Sequence, residues 1–408
     1  MSSECPPREG LPPVAVRERA FVPTELILLF RLAGMSVLNI WGGTAGNWGR
    51  RTLDLDEMEI IRDLKHRRKL TDCKGSQMSL FHITRQSGIP LVGCIYFGVV
   101  DRGSSLLQIR PSCGCNLNCP FCSVDAGPLS RSRVTDYQVE LDYLMEAVEE
   151  IAPFKGPGVE CHIDSPGEPM LYPDIVPLVQ RLKAIKEVSV VSMQSNGTLL
   201  DDERIAALAE AGLDRINLSI HSLQPEKAAF LAGMPGFDIE KIKQAAKSIA
   251  QSKIDLLIAP VLIPGINDED MPELISFARQ IGAGKRWPAL GIQKFEHYRL
   301  GRSPGKVKAQ NWWQFYNRSM AGWEKQFSIP LRLKAQDFKI ERRPVIPTVF
   351  EKKEKTWVEI KAPGWVQGEQ LGVAKNRVVS VMDCPIEQGS VRVQIVSNKH
   401  NIYVAVPC

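Results

Sequence analysis

The sequence predicts an α/β protein with three parts: a mixed N-terminal region, a partial (βα)6 TIM-like barrel, and a small C-terminal β-barrel of the OB type. Three observations carry this. From Ser105 to Arg299, six runs rich in Val, Ile and Leu alternate with helix-like stretches. They recur at intervals of roughly 30–40 residues, the length of a βαβ unit. After Thr356 the helical period disappears, and short alternating runs separated by Gly, Pro and Asn take over.

In chain order the strand-like runs are SLLQIRP, GVECHIDS, EVSVVSMQS, RINLSIHS, IDLLIAPVLI and ALGIQKFEHY. Between them lie YLMEAVEEIA, DIVPLVQRLKAI, DERIAALAEAG, IEKIKQAAKSIA and DMPELISFARQIGAG, with apolar residues at helical spacing. Asp residues open the DDERIAALAEAG helix and Gly closes it, as helix termini favour. Six units are too few for a full eightfold barrel, and a doubly wound open sheet is the structural alternative. The divisions that follow are residues 1–104 (N-terminal region), 105–299 (barrel), 300–355 (helical extension and linker) and 356–408 (β-barrel). The charged ERRPVIPTVFEKKEKT reads as the linker.

Composition is that of an ordinary globular chain, 44% hydrophobic and 24% charged over 408 residues, which suffices for two or three domains. A net charge of +5 permits a nucleic-acid partner without requiring one. The apolar stretch Thr24–Trp41 is interrupted by Arg31 and is too short to span a membrane. With no signal peptide pattern, the expected location is the cytoplasm. There thiols stay reduced, so clustered cysteines point to metal or catalysis rather than disulfides. The glycine-rich Trp41–Arg50 matches no phosphate-binding pattern and reads as a turn or a ligand loop.

Of ten cysteines, four crowd into CGCNLNCPFC, at Cys113, Cys115, Cys119 and Cys122. No second C-x-x-C pair follows at zinc-ribbon distance. The loop comes straight after the first strand, on the face where barrel enzymes carry their active sites. Cys115-Asn-Leu-Asn-Cys119-Pro-Phe-Cys122 resembles the signature of radical S-adenosylmethionine enzymes. The resemblance implies that three thiolates hold a 4Fe–4S cluster whose fourth iron chelates S-adenosylmethionine. Reduction then releases a 5′-deoxyadenosyl radical. The alternative register, Cys113 with Cys119 and Cys122, has a rarer spacing.

Four further stretches resemble that family in order. Gly167-Glu168-Pro169 ends the second strand, where the family contacts the methionine amino group, and Asn196-Gly197 ends the third. Ser219 on the fourth matches a ribose-contacting position, and His221 stands where many relatives have Asp. Val261–Asp268, including Ile263, matches the segment near adenine, while Phe121 precedes the last cysteine. Cys73, Cys94 and Cys113 form a candidate second metal site, or else are isolated buried thiols. Cys161 reads as core, and nothing relates Cys384 to Cys408. His162 and Asp164 share a strand face, as a substrate-orienting or a structural pair.

The AGLDRINLSIHSL stretch is similar to the molybdenum-cofactor cyclase branch, yet Arg299–Ser380 lacks the further cysteines of that branch. The final segment, with NRVVSV and GSVRVQIV, looks like a TRAM domain, an RNA-binding module. Before it, Lys285, Arg286, Lys294, Arg299, Arg302, Lys306 and Lys308 interleave with Trp287, His297, Tyr298, Trp312 and Trp313. That pattern suits phosphates and bases, and equally suits a solvated face with helix-core tryptophans. The expectation is radical modification of RNA, with tRNA the expected class and a ferredoxin or flavodoxin as reductant. The alternatives are a peptide, lipid or cofactor-precursor substrate, or a non-catalytic RNA-binding module.

Overall fold

A computed structural model describes residues 69–71 and 77–408. Cys5, Cys73, Thr24–Trp41 and Trp41–Arg50 lie outside the described residues. The chain divides into two compact units, Met1–Leu80 and Phe81–Cys408. In the first, β1 (Lys69–Thr71) pairs antiparallel with the start of β2 (Gln77–Ile83).

The second unit is built on a sheet that follows the chain in order. Its members are β3 (Gly98–Asp101), β4 (Leu106–Arg110), β6 (Val159–Ile163), β7 (Val188–Ser195), β8 (Arg215–Leu218) and β9 (Asp255–Ile258). β5 (Thr135–Val139) lies between β4 and β6 in the chain. From β4 to β9 every neighbour is parallel. The sixth unit continues the ladder: Ile258 bridges Leu290, and β10 (Val261–Leu262) runs parallel to β11 (Gln293–Lys294). The strand order never reverses, whereas a doubly wound sheet needs a reversal point. The fold is therefore the expected partial (βα)6 barrel. The strand β3, antiparallel to β4, extends the sheet from a stretch that sequence alone assigned to the N-terminal region.

The crossovers are α1 (Leu141–Lys155), α2 (Ile175–Ala184), α3 (Asp202–Glu210), α4 (Pro225–Ala232), α5 (Ile239–Gln251) and α6 (Met271–Gln280). Asp201 caps α3 by accepting from Arg204 N at 2.8 Å, and Asp238 caps α5 through Glu240 N at 3.0 Å. The strands bury both faces, as helix-covered parallel strands must: all four residues of β9 are buried.

After the barrel, a π-helical turn, Gln314–Met320, leads into α7 (Ala321–Phe327). The charged segment read as a linker is a strap along the core. Ser105 N donates to Glu341 O at 2.7 Å and Arg343 N to Gly103 O at 3.1 Å. Ile346 N donates to Asp101 Oδ2 at 2.9 Å. The final strands β12 (Lys355–Pro363), β13 (Gln370–Ala374), β14 (Arg377–Val381), β15 (Gly389–Ser397) and β16 (Val404–Pro407) close into a five-stranded barrel. It packs on the core directly. Trp365 lies 4.3 Å from Tyr96 between ring centroids, and Val378 N donates to Val92 O at 3.0 Å.

One buried charge pair fixes the strap. Lys155 and Asp101 have no side-chain exposure and meet at 2.8 Å. Lys155 Nζ also reaches Pro344 O at 2.6 Å. Removing one partner leaves an unpaired charge in the core, so Lys155→Met should lower the unfolding free energy by about 3–5 kcal/mol. Urea titration of the purified variant checks this, and a loss under about 1 kcal/mol, the range of exposed pairs, contradicts it.

Candidate active site

The cysteine loop follows β4 and lies across the C-terminal ends of the strands. Its backbone is clamped on two sides. A Cβ on Gly167 would stand 1.9 Å from Gly114 O, so only glycine permits this approach. There Glu168 N donates to Gly114 O at 2.8 Å. Gly233, at the C-terminus of α4 with φ +65°, allows the loop to pass as closely, since a Cβ would meet Asn118 O at 2.0 Å. Asn118 N is bonded to Ala232 O at 3.0 Å. Cys122 N closes a turn on Cys119 O at 3.1 Å, and Cys122 Sγ accepts from Ala126 N at 3.2 Å.

Side chains complete the frame. Asp125 Oδ2 accepts from Arg131 N at 2.8 Å, Ser132 N at 3.0 Å and both nearby serine hydroxyls. Burial alone would push its carboxyl up, but these bonds outweigh it and hold the carboxyl below its ordinary range. Arg302 ties the far end, its backbone N donating to Cys122 O at 2.8 Å. Arg133 is buried, donates to Cys113 O at 2.9 Å, and lies 4.8 Å from the Trp365 ring of the C-terminal part.

Cys115, Cys119 and Cys122 line one cavity of about 290 Å³ together with Phe121, Gly167, Glu168, Asn196 and Ser219. The residues singled out at four strand ends thus converge. Glu168 accepts from Met170 N at 3.0 Å, Ser195 Oγ at 2.9 Å and Asn196 N at 2.7 Å. Burial pushes its carboxyl up to about 7 against the pull of these donors. Asn196 also donates to Asn116 Oδ1 at 2.9 Å, which stitches the third strand to the cysteine loop. Ser219 Oγ accepts from Gln194 Nε2 at 2.8 Å.

Phe121 meets His221 edge-on at 4.8 Å and packs against Leu231, Ile263 and Phe295. His221 Nδ1 accepts from Val261 N at 3.1 Å, which leaves the proton on Nε2, and burial pushes its pKa down to about 4. Pro169 and Ile263 are buried and do not line the cavity. Gln194, Lys294 and Tyr298 line the cavity as well, and Asn116 of the cysteine motif bonds Asn196 beside it; Lys294 and Tyr298 stood in the basic and aromatic run, whereas nothing in the sequence singled out Gln194.

Burial pushes the Cys115 and Cys119 thiols up to about 12. These thiols are therefore protonated at neutral pH, and metal uptake must release protons. Among the described residues, no three His, Cys, Asp or Glu side chains stand close enough to share one metal ion. The three thiols line one cavity, and three thiolate donors suit an iron–sulfur cluster that keeps one iron open. Cys94 and Cys113 are buried, with Sγ atoms accepting from Tyr96 N at 3.3 Å and Tyr137 N at 3.1 Å, and neither lines the cavity. Cys161 is fully buried in β6. His162 Nδ1 is bonded to Ser192 Oγ at 2.7 Å, whereas Asp164 accepts from Arg110 Nη2 at 2.8 Å, so the two serve separate networks.

The sequence profile of the radical SAM superfamily matches residues 109–278. An uncharacterized protein of Methanocaldococcus jannaschii is 42% identical over 339 residues, covering 78% of each chain. The chain belongs to the radical SAM superfamily. Its cofactors are accordingly a 4Fe–4S cluster and S-adenosylmethionine, and it is an enzyme. The GTP 3′,8-cyclase of Chlorobaculum tepidum is 28% identical, covering 54% of this chain and 62% of its own length. A probable GTP 3′,8-cyclase of Methanothermobacter thermautotrophicus is 32% identical, covering 45% and 58%. The chain thus spans less than two thirds of either cyclase. Among solved structures, Streptococcus suis SuiB bound to S-adenosylmethionine matches with TM-score 0.44 and 17% identity, over 76% of this chain and 59% of that one. No described helix of this radical SAM protein is long and apolar enough to cross a membrane.

If the clamp at Gly167 positions the loop, Gly167→Ala should cost about 1–3 kcal/mol by overpacking and reduce iron and sulfide uptake during reconstitution. Gly236→Ala, with nothing within 4 Å of its Cβ, is the control. Equal iron content in both variants contradicts the clamp.

Proposed function

We propose that this radical SAM enzyme modifies RNA, with tRNA the expected class, and that Cys115, Cys119 and Cys122 hold its cluster. The convergence of these three thiols with Glu168, Asn196 and Ser219 on one cavity carries the catalytic part of the reading. When bound and reduced, the cluster supplies the electron that splits a C–S bond of S-adenosylmethionine. A ferredoxin or flavodoxin is the expected reductant.

The remaining work falls to side chains. The Glu168 carboxylate, already fixed by three donors, is oriented to take the cofactor's ammonium. The Gln194–Ser219 pair offers polar atoms for the ribose hydroxyls. Phe121, with Ile263 behind it, gives an apolar wall for the adenine. The His221 Nε2 proton faces no partner in the described hydrogen bonds and is available to an acceptor on cofactor or substrate.

The C-terminal barrel supports the RNA reading. It turns Trp357 outward, 63% exposed, directly across from Arg392 on the neighbouring strand. An exposed indole beside a guanidinium can stack on a base and meet its phosphate. Cyclase activity is not carried over, because Arg299–Ser380 contains no cysteine for a second cluster.

Three outcomes are expected. Cys119→Ala should remove the cluster's visible absorbance and all reductive cleavage of S-adenosylmethionine in anaerobically reconstituted protein; retention of either would displace Cys119 from the ligand set. Affinity for S-adenosylmethionine should rise from pH 6 to 8, because Glu168, raised to about 7, is increasingly ionised over that window. Titration calorimetry on the reconstituted enzyme checks this, and a flat profile removes Glu168 from the ammonium site. Total tRNA from cells lacking this gene, incubated with enzyme, reductant and S-adenosylmethionine, should yield a nucleoside of new mass. An unchanged nucleoside spectrum would count against tRNA.

A further inference from the structure

The helix after the barrel turns its tryptophans to solvent. Phe315 and Met320 are buried and anchor it, while Trp312 is 54% and Trp313 61% exposed. Large apolar side chains grouped in water mark a binding surface more often than they occur by accident. Trp312 is stacked on Tyr316 with centroids 5.6 Å apart, so its ring is held in place. The π-helical turn at Gln314–Met320 is a rare backbone form that recurs at functional sites.

This surface joins the mouth of the active-site cavity. Lys294 lines the cavity and places its ammonium 4.9 Å from the Trp312 ring. Tyr298 lines it as well and is 53% exposed. The charge is one-sided: from Lys294 to Lys325 there are seven Lys and Arg against two Glu. Both acids are engaged, Glu296 with Lys294 at 3.0 Å and Glu324 with Arg332 at 2.7 Å. Arg299, Lys306, Lys308 and Arg318 remain exposed, with no ion-pair partner among the described residues.

We infer that this surface is a stacking platform for unpaired nucleotides at the cavity mouth. Trp312, Trp313 and Tyr298 take base faces, and Arg299, Lys306, Lys308 and Arg318 neutralise the phosphates. The inference rests on the RNA reading above and gives that substrate its point of entry. Unpaired RNA fits better than a duplex because its bases offer open π faces. An acidic peptide would satisfy the cations but would leave the indoles without flat partners.

The test is fluorescence anisotropy of labelled oligouridine with the full reconstituted chain over a salt series, with polyglutamate as competitor. Trp313→Ala should weaken oligouridine binding about tenfold or more, as loss of one stacked base does. Its melting temperature should hold, because the ring is exposed. Lys306→Gln with Lys308→Gln should make the salt dependence shallower by about 1.4 in log–log slope. Polyglutamate should compete weakly. The platform is overturned if oligouridine binds but only Trp357→Ala weakens it, in which case the RNA reading survives. It is also overturned if polyglutamate displaces the RNA at equal charge concentration. If wild-type protein shows no salt-dependent RNA binding, both the platform and the RNA reading fall.

Discussion

Everything at the active site depends on how closely the cysteine loop approaches its neighbours. Its carbonyls at Gly114 and Asn118 lie where a Cβ on Gly167 or Gly233 would have to be. The backbone bonds at those places, Glu168 N to Gly114 O and Asn118 N to Ala232 O, turn close contact into defined register. The thiols are then presented to the cavity by backbone rather than by flexible side chains alone. Glu168 belongs to both systems. Its amide holds the loop, and its carboxylate holds the start of the turn after β7 through Ser195 and Asn196. The residue proposed to receive a cofactor therefore also aligns the thiols beside it.

A second dependence runs through the C-terminal barrel. Val134 N donates to Trp365 O at 2.9 Å, Tyr137 Oη donates to Pro363 O at 2.7 Å, and the Trp365 ring covers Arg133. Arg133 in turn supports Cys113 O. The barrel is consequently a structural brace for the segment that follows the cysteine loop, whatever it also binds. Tyr96 and Trp365 pack with their rings tilted by 36°, and Glu369 accepts from Tyr96 Oη at 3.1 Å and from Trp365 N at 3.0 Å. Removing the barrel would uncover this apolar seam and leave the Tyr96 hydroxyl without its acceptor, Glu369. Point substitutions on the outer faces are therefore the informative ones.

The barrel order and the catalytic motifs were legible because both are local in sequence. Strand runs, helix caps and the Cys, Gly-Glu-Pro and Asn-Gly signatures each lie within a dozen residues, and a singly wound topology lines up strand ends without further information. The rest is non-local. That Arg343 and Ile346 strap across the sheet depends on pairings over more than 200 residues, and Gly98–Asp101 joins it through an antiparallel pairing with β4. The four-residue run GVVD is too short to signal this alone. Trp312 and Trp313 carried no readable orientation, because a helical period shows faces only when the apolar positions differ from the exposed ones. Here aromatic residues occupy both. Gln194 was invisible for a simpler reason: it is ordinary until the parallel register of β7 and β8 brings Ser219, just past the end of β8, within hydrogen-bond reach of it.

The most direct test of the account is 5′-deoxyadenosine formation by anaerobically reconstituted protein, measured with and without total tRNA. The account predicts slow basal turnover that rises strongly when tRNA is present. Turnover indifferent to tRNA would leave the radical chemistry standing and contradict RNA as the substrate. No 5′-deoxyadenosine under any condition, with the cluster fully loaded, would contradict the reading of the cysteine loop itself.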